Sequence, residues 1–102
     1  VRVDIHDTPE KRWTVAEMAG LAHLSPSHFS VLYRRAFGTS PLDDLLAVRL
    51  RKCCWLLANT GCSVQDAARQ SGFENIHYFS RYFRKRIGCA PRDYAARPVR
   101  RT

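Results

Sequence analysis

The sequence predicts an all-α fold of two helix-turn-helix units joined by a long linker helix. Three observations carry that expectation: one short pattern occurs twice, the apolar residues keep helical spacing, and the charge balance is strongly basic. The first copy opens at Thr14, Val15, Ala16 and Glu17 and closes at Gly38, Thr39, Ser40 and Pro41; the second opens at Ser63, Val64, Gln65 and Asp66 and closes at Gly88, Cys89, Ala90 and Pro91. The offset between the copies grows by one residue between Leu24/Phe73 and Ser25/Asn75. Two copies of one small unit imply two copies of one task. With 17 Lys and Arg against 9 Asp and Glu, a formal net charge of +8, the shared task is expected to be holding a polyanion.

Each copy starts with an N-cap hydroxyl and an acidic residue three positions on. Thr14 with Glu17 matches a capping box, and Ser63 with Asp66 is a weaker version of it. Val15, Met18 and Ala19, and then Val64, Ala67 and Ala68, give a short amphipathic helix in each unit. A turn follows, at Ala22, His23, Leu24 and at Ser71, Gly72, Phe73. Gly72 suits a backbone with positive φ, so His23, its counterpart, is expected to adopt the same conformation. Ser25 with Pro26 behind it, and Asn75 in the second copy, cap the second helices. Their core stripes are Phe29, Leu32, Tyr33 and Phe79, Tyr82, Phe83, and Gly38 and Gly88 stop them. Val15, Leu24, Phe29 and Val64, Phe73, Phe79 are expected to be buried in two equivalent small cores.

Between the units the pattern predicts one long helix. Ser40 can cap it, Pro41 fits its first position, and Leu42, Leu45, Leu46, Leu50, Cys53, Leu56 and Leu57 keep helical spacing up to Asn59, Thr60 and Gly61. Roughly 17 residues at about 1.5 Å each make a spacer of about 26 Å. That is of the right order to set two recognition helices one DNA turn apart on one surface. Pro91 to about Ala96 predicts a last short helix, stopped by Pro98 before a basic tail of Arg97, Arg100 and Arg101. The organisation expected is one domain over 1–102, with the first unit at about 8–38, the linker at about 41–59 and the second unit at about 63–97.

At 102 residues and 45% apolar composition the chain has room for one ordinary domain or two tightly joined small ones, and not for a second catalytic domain. No apolar run approaches the roughly 18 residues of a membrane span, and no signal-like segment is present, so a soluble cytosolic protein with no membrane partner is expected. Val1 in place of Met predicts a segment of a longer chain. Cys53 and Cys54 are adjacent and point about 100° apart on a helix, and neither CxxC nor HxxxH occurs. The four cysteines are therefore expected to be small apolar fillers, with no metal and no cofactor. No motif places Ser, His and Asp for catalysis, so no enzyme is expected. Trp13, Trp55, Phe73 and Tyr94 fall on the apolar pattern and are expected in the core.

Gly72 and Phe73, then Tyr78, Phe79, Ser80 and Arg81, Phe83, Arg84 and Lys85, Gly88, Pro91 and Tyr94 resemble the signature of the AraC/XylS family of bacterial transcription regulators. Ser25 to Ser30, then Gly38, Pro41, Arg49, Leu56 and Leu57 resemble the other half of that domain. The resemblance covers residues 14 to 94. It implies about seven helices in homeodomain-like three-helix units, binding successive major grooves on one DNA face. It also implies a C-terminal domain whose partners are a double-stranded DNA operator, RNA polymerase, and an N-terminal effector or dimerisation domain. His77 stands where the family most often has a small residue, Ile87 where an aromatic is common, Ala95 where Arg often follows the Tyr, and Cys53 where Ala is usual. The change at His77 means that a relative's operator sequence does not carry over.

Base reading is expected from the first two turns of each second helix, away from the aromatic stripe. By family position these residues are Ser27, Ser30 and Val31, and then Ile76, His77, Ser80 and Arg81. Arg81 can fork onto a guanine O6/N7 pair, its competing role being a phosphate-bound or solvated cation. The first unit, with short side chains, is expected to read methyl groups and shape more than hydrogen bonds. Ser25, Arg34, Arg35, Asn75, Tyr78, Arg84, Lys85 and also Arg86 are expected at the phosphates, where contacts position the protein without reading sequence. The alternatives are a cysteine-based DNA-repair or thiol- or metal-sensing regulator, and a sequence-neutral architectural DNA binder.

Overall fold

A computed structural model describes residues 1–96, so Pro98 and the tail arginines Arg97, Arg100 and Arg101 lie outside the described residues. Among the described residues the chain forms seven helices and no strand: α1 (Arg2–Asp7), α2 (Val15–Leu21), α3 (Pro26–Phe37), α4 (Pro41–Asn59), α5 (Val64–Gln70), α6 (Ile76–Ile87) and α7 (Pro91–Ala96). They divide into two compact units, Val1–Val48 and Arg49–Thr102, and α4 runs from one into the other. None of these helices is long and apolar enough to cross a membrane.

The local start and stop signals act as their chemistry requires. Thr14, Ser25, Ser40 and Ser63 each accept an N–H from the residue three positions on through the side-chain hydroxyl, at 3.0 to 3.2 Å, and Asn75 Oδ1 accepts from Tyr78 N at 3.0 Å. These bonds satisfy N–H groups that the first helical turn leaves unpaired. The Glu17 carboxylate pairs with Lys11 instead, Oε2 lying 3.1 Å from Lys11 Nζ. Gly38 (φ 74°) and Gly88 (φ 98°) end α3 and α6 in the left-handed conformation, where an added Cβ would be strained.

In the first unit Ile5, Trp13, Met18, Ala19, Phe29, Tyr33 and Leu45 form one core, with Val15 and Leu24 half-buried at its edge. In the second, Leu50, Cys53, Leu56, Leu57, Ala67, Ala68, Phe73, Phe79 and Phe83 are buried. Phe79 packs on Phe73 and on Phe83 at centroid distances of 5.0 and 5.6 Å, and Tyr94 meets Phe83 edge-on at 5.6 Å. Val15, Leu24 and Val64 are half-buried rather than fully enclosed. They cover the rim of small cores whose centres the larger aromatic rings fill.

Three expectations about the apolar pattern are corrected. Trp55 is 60% exposed, and Leu42 is 49% exposed. At about 100° per residue, Trp55 stands on the side of α4 opposite the stripe of Leu50, Cys53, Leu56 and Leu57. Leu32 is also exposed, because Phe29 and Tyr33 alone supply the buried side of α3.

The first unit also begins earlier than residue 8, with α1. Its N-cap, Val1, makes no side-chain capping bond, so no local start signal marks it. Tertiary contacts hold it instead. Ile5 is fully buried, and Asp44, only 5% exposed at the start of α4, accepts from Tyr33 Oη and from Arg2 Nε (3.0 Å). His6 Nε2 lies 3.3 and 3.4 Å from the two carboxylate oxygens of Asp44. Burial alone would push the Asp44 carboxyl up, but hydrogen bonds from Tyr33, Arg2 and His6 outweigh it and hold the group below the usual carboxylate range. Burial and the hydrogen bond to Asp44 push the Tyr33 hydroxyl up.

Candidate nucleic-acid interface

Both turns between the helix pairs share a positive φ at the matched residue and the same return hydrogen bond. His23 takes φ 59° and Gly72 φ 102°, and Leu24 N and Phe73 N donate back to Ala19 O and Ala68 O at 3.0 and 2.9 Å. This tight return in the first unit presents α3 across α2. In the second unit it presents α6 across α5.

On α3, Ser27, Ser30, Val31 and Arg34 share the face opposite Phe29 and Tyr33. On α6, His77, Ser80, Arg81 and Arg84 share the face opposite Phe79 and Phe83. Ser27, Val31, Arg34, Arg35, His77, Arg81, Arg84 and Lys85 are exposed, and Ser30 and Ser80 are half-buried. Ile76 is half-buried too, since it falls toward the apolar side of α6. Neither helix contains an acidic residue. Among the described residues, the side chains of Arg34, Arg35, Arg81, Arg84 and Lys85 have no protein partner, so their charge is free for a ligand.

The structure groups some of these residues and separates others. Ser30, Val31, Arg34 and Arg35 line one open groove on α3. Ser80, Arg81 and Arg84 line another beside α6, together with Val64, Ala90, Pro91 and Arg92. Ser27 and His77 lie one turn nearer their helix starts. Ser25 and Asn75 use a side-chain oxygen as a cap and keep a donor, the hydroxyl hydrogen or the amide Nδ2, for a phosphate. Tyr78 is exposed and stacks on Tyr82 (6.0 Å, 15°), and Arg86 lies over the same Tyr82 ring at 5.7 Å, which holds it to the flank. The sequence pattern did not single out Arg92. Its one local sign is a cation in the first turn of α7, where the helix dipole disfavours it.

Two of the cysteines are held as thiols by burial. All four are free thiols, and burial pushes Cys53 up to about 12 and raises Cys54, which suppresses the reactive thiolate. Among the described residues no group of three His, Cys, Asp or Glu side chains is placed to hold a metal ion.

Two helix pairs on matched tight turns, each with an acid-free, cationic second helix, define a helix-turn-helix DNA-binding protein of the transcription-regulator class. A family model described as a helix-turn-helix domain matches residues 18–97, and the chain belongs to this family, the AraC-type DNA-binding domains. It is 31% identical over 91 residues to the RCS-specific HTH-type transcriptional activator RclR of Escherichia coli, a match that covers 89% of this chain and 32% of RclR. It is 32% identical over 87 residues to the arabinose operon regulatory protein of Escherichia coli, covering 85% of this chain and 30% of that protein. The chain thus spans about a third of the length of these curated relatives. Among solved structures, the C-terminal domain of AraT, a response regulator from Geobacillus stearothermophilus, superposes with a TM-score of 0.87 at 27% identity, covering 97% of this chain and 84% of that one.

Proposed function

We propose that this chain is the sequence-specific DNA-reading domain of a longer bacterial transcription regulator, with α3 and α6 entering successive major grooves of one operator. The supporting observation is the duplicated second helix, acid-free and carrying cations with no protein partner among the described residues. Ser27, Ser30 and Val31 on α3, and His77, Ser80 and Arg81 on α6, read base edges, whereas Ile76, which the sequence also put there, sits toward the apolar side of α6 and is left out of the reading face. Ser25, Arg34, Arg35, Asn75, Tyr78, Arg84 and Lys85 hold phosphates. Such a domain acts in the cytoplasm beside RNA polymerase, under the control of an N-terminal effector or dimerisation domain of the kind that would fill the rest of its relatives' length.

The test starts from a preferred site selected out of random duplex DNA. Binding of wild type, Arg81→Ala and Lys85→Ala is then measured by fluorescence anisotropy on that site and on a scrambled one. Arg81→Ala is expected to cost about 1 to 3 kcal/mol on the preferred site and to relax preference at one base position. Lys85→Ala should weaken both duplexes alike and lower the salt slope by about one unit. Equal losses on both duplexes for Arg81→Ala would make that residue a phosphate clamp and pass base reading to His77, Ser80 or α3. A wild type without any preferred site would leave an architectural binder.

A further inference from the structure

The groove beside α6 has a wall that the duplicated pattern does not explain. It encloses about 530 Å³ and is lined by Ser80, Arg81 and Arg84 from α6, Val64 from the start of α5, and Ala90, Pro91 and Arg92 at the start of α7. Arg81, Arg84 and Arg92 are all exposed, and none has a side-chain partner among the described residues. Three guanidinium groups around one recess repel one another and add nothing to the stability of the fold. An anion seated between Arg84 and Arg92 relieves that repulsion and leaves Arg81 to the base edges. The floor of Val64, Ala90 and Pro91 is apolar, and Pro91 is buried and has no N–H to offer. Such a floor suits the carbon face of a sugar and, by excluding water, strengthens the charge contacts at the rim.

We propose that this cleft seats one phosphate of the DNA backbone with its deoxyribose, and that Arg92 is a DNA-contacting residue that clamps the phosphate from α7. The proposal rests on the DNA-binding reading above and adds to it a second helix that grips the duplex. A guanidinium can fork onto two phosphate oxygens, which fixes orientation as well as charge. A clamp on α7 sets the depth and tilt of α6 in the groove, because the contact comes from a different helix than the one that reads bases.

The experiment compares wild type, Arg92→Ala and Arg92→Lys on the selected duplex and its scrambled form across a salt series, with far-UV circular dichroism confirming the fold. Arg92→Ala should weaken both duplexes alike, by about three- to tenfold, and lower the salt slope by about 0.9. Arg92→Lys should keep the slope and recover only part of the affinity, since the charge remains and the fork is lost. A scan of duplexes with single methylphosphonate substitutions should find one position that weakens wild type yet has little further effect on Arg92→Ala. Unchanged affinity and slope for Arg92→Ala, or a loss confined to one sequence, would overturn the proposal while leaving the DNA-binding reading intact. A wild type that binds no duplex would overturn both. Inorganic phosphate at matched ionic strength is the free-anion arm: an Arg92-dependent rise in Tm with phosphate, and no effect of Arg92→Ala on DNA, would reassign the cleft to a free anion and overturn the proposal.

Discussion

His23 carries a conformation that its side chain does not favour. Its φ of 59° is imposed by the turn, in which His23 N donates to Gly20 O at 3.1 Å and Leu24 N to Ala19 O at 3.0 Å. The second unit makes the matching pair from Gly72 N to Arg69 O and Phe73 N to Ala68 O, at 3.1 and 2.9 Å, with a glycine at the strained position. The two turns therefore predict different responses to substitution. Gly72→Ala should destabilise by about 1 kcal/mol or more, because a Cβ is introduced at φ 102°. His23→Gly should be close to neutral, since relief of the left-handed strain and the greater freedom of the unfolded chain offset each other. Urea unfolding of both variants measures this as shifts of the midpoint at constant slope. A Gly72→Ala midpoint equal to wild type would disprove the strained-turn account.

At the scale of elements, α1 shows how a helix without local signals is made. Six residues are far too few for a stable isolated helix. Its formation depends on the burial of Ile5 and on the bonds from Arg2 and His6 to Asp44, while Tyr33 binds the same carboxylate from α3. The depressed titration of Asp44 gives the dependence a sign. A carboxylate whose folded pKa lies below its unfolded value, near about 3.9, contributes stability above that pH and loses it as pH falls through the folded value. Tm should therefore drop on acidification below about pH 4, and less so in Asp44→Asn. At neutral pH the same variant should be less stable by about 1 to 3 kcal/mol, because buried donors lose a charged acceptor. Amide exchange at Ile5 should rise with it. Protection of Ile5 unchanged in Asp44→Asn would mean that apolar burial alone holds α1.

For the whole molecule, the proposed function divides the work: charge sets the strength of binding and side-chain placement sets its selectivity. The formal net charge of +8 favours any polyanion, but only cations on the reading and flanking faces release counterions at a defined site. If the domain neutralises about six phosphates, log affinity should fall with log salt at a slope near −5, about 0.9 per contact. Anisotropy titrations between low and moderate salt give the slope directly. A slope near −2 would mean that most of the arginines on α3 and α6 face solvent in the complex. Selectivity should survive high salt better than affinity, since base-edge hydrogen bonds displace no condensed counterions.

Much of this was legible in the chain. Thr14, Ser25, Ser63 and Asn75 act on N–H groups three positions away, Gly38, Gly72 and Gly88 answer to φ at one residue, and the stripes of α3 and α6 repeat within one or two turns. All of these are short-range physics, so sequence alone determined α2 to α7, the turns, the duplication and the cationic faces, but not α1. The clasp on α1 joins residues 42 and 38 positions apart, and no periodicity announces a carboxylate at Asp44 that would draw in Arg2 and His6. Trp55 was expected in the core as part of the apolar pattern, and only the direction of the buried side of α4 put it in water. Arg92 became part of a groove because α7 packs beside α6, a placement set by Phe83 and Tyr94 rather than by anything next to Arg92 in the chain. Tertiary structure decided those three, for burial and grouping depend on which surfaces meet after the local elements have formed.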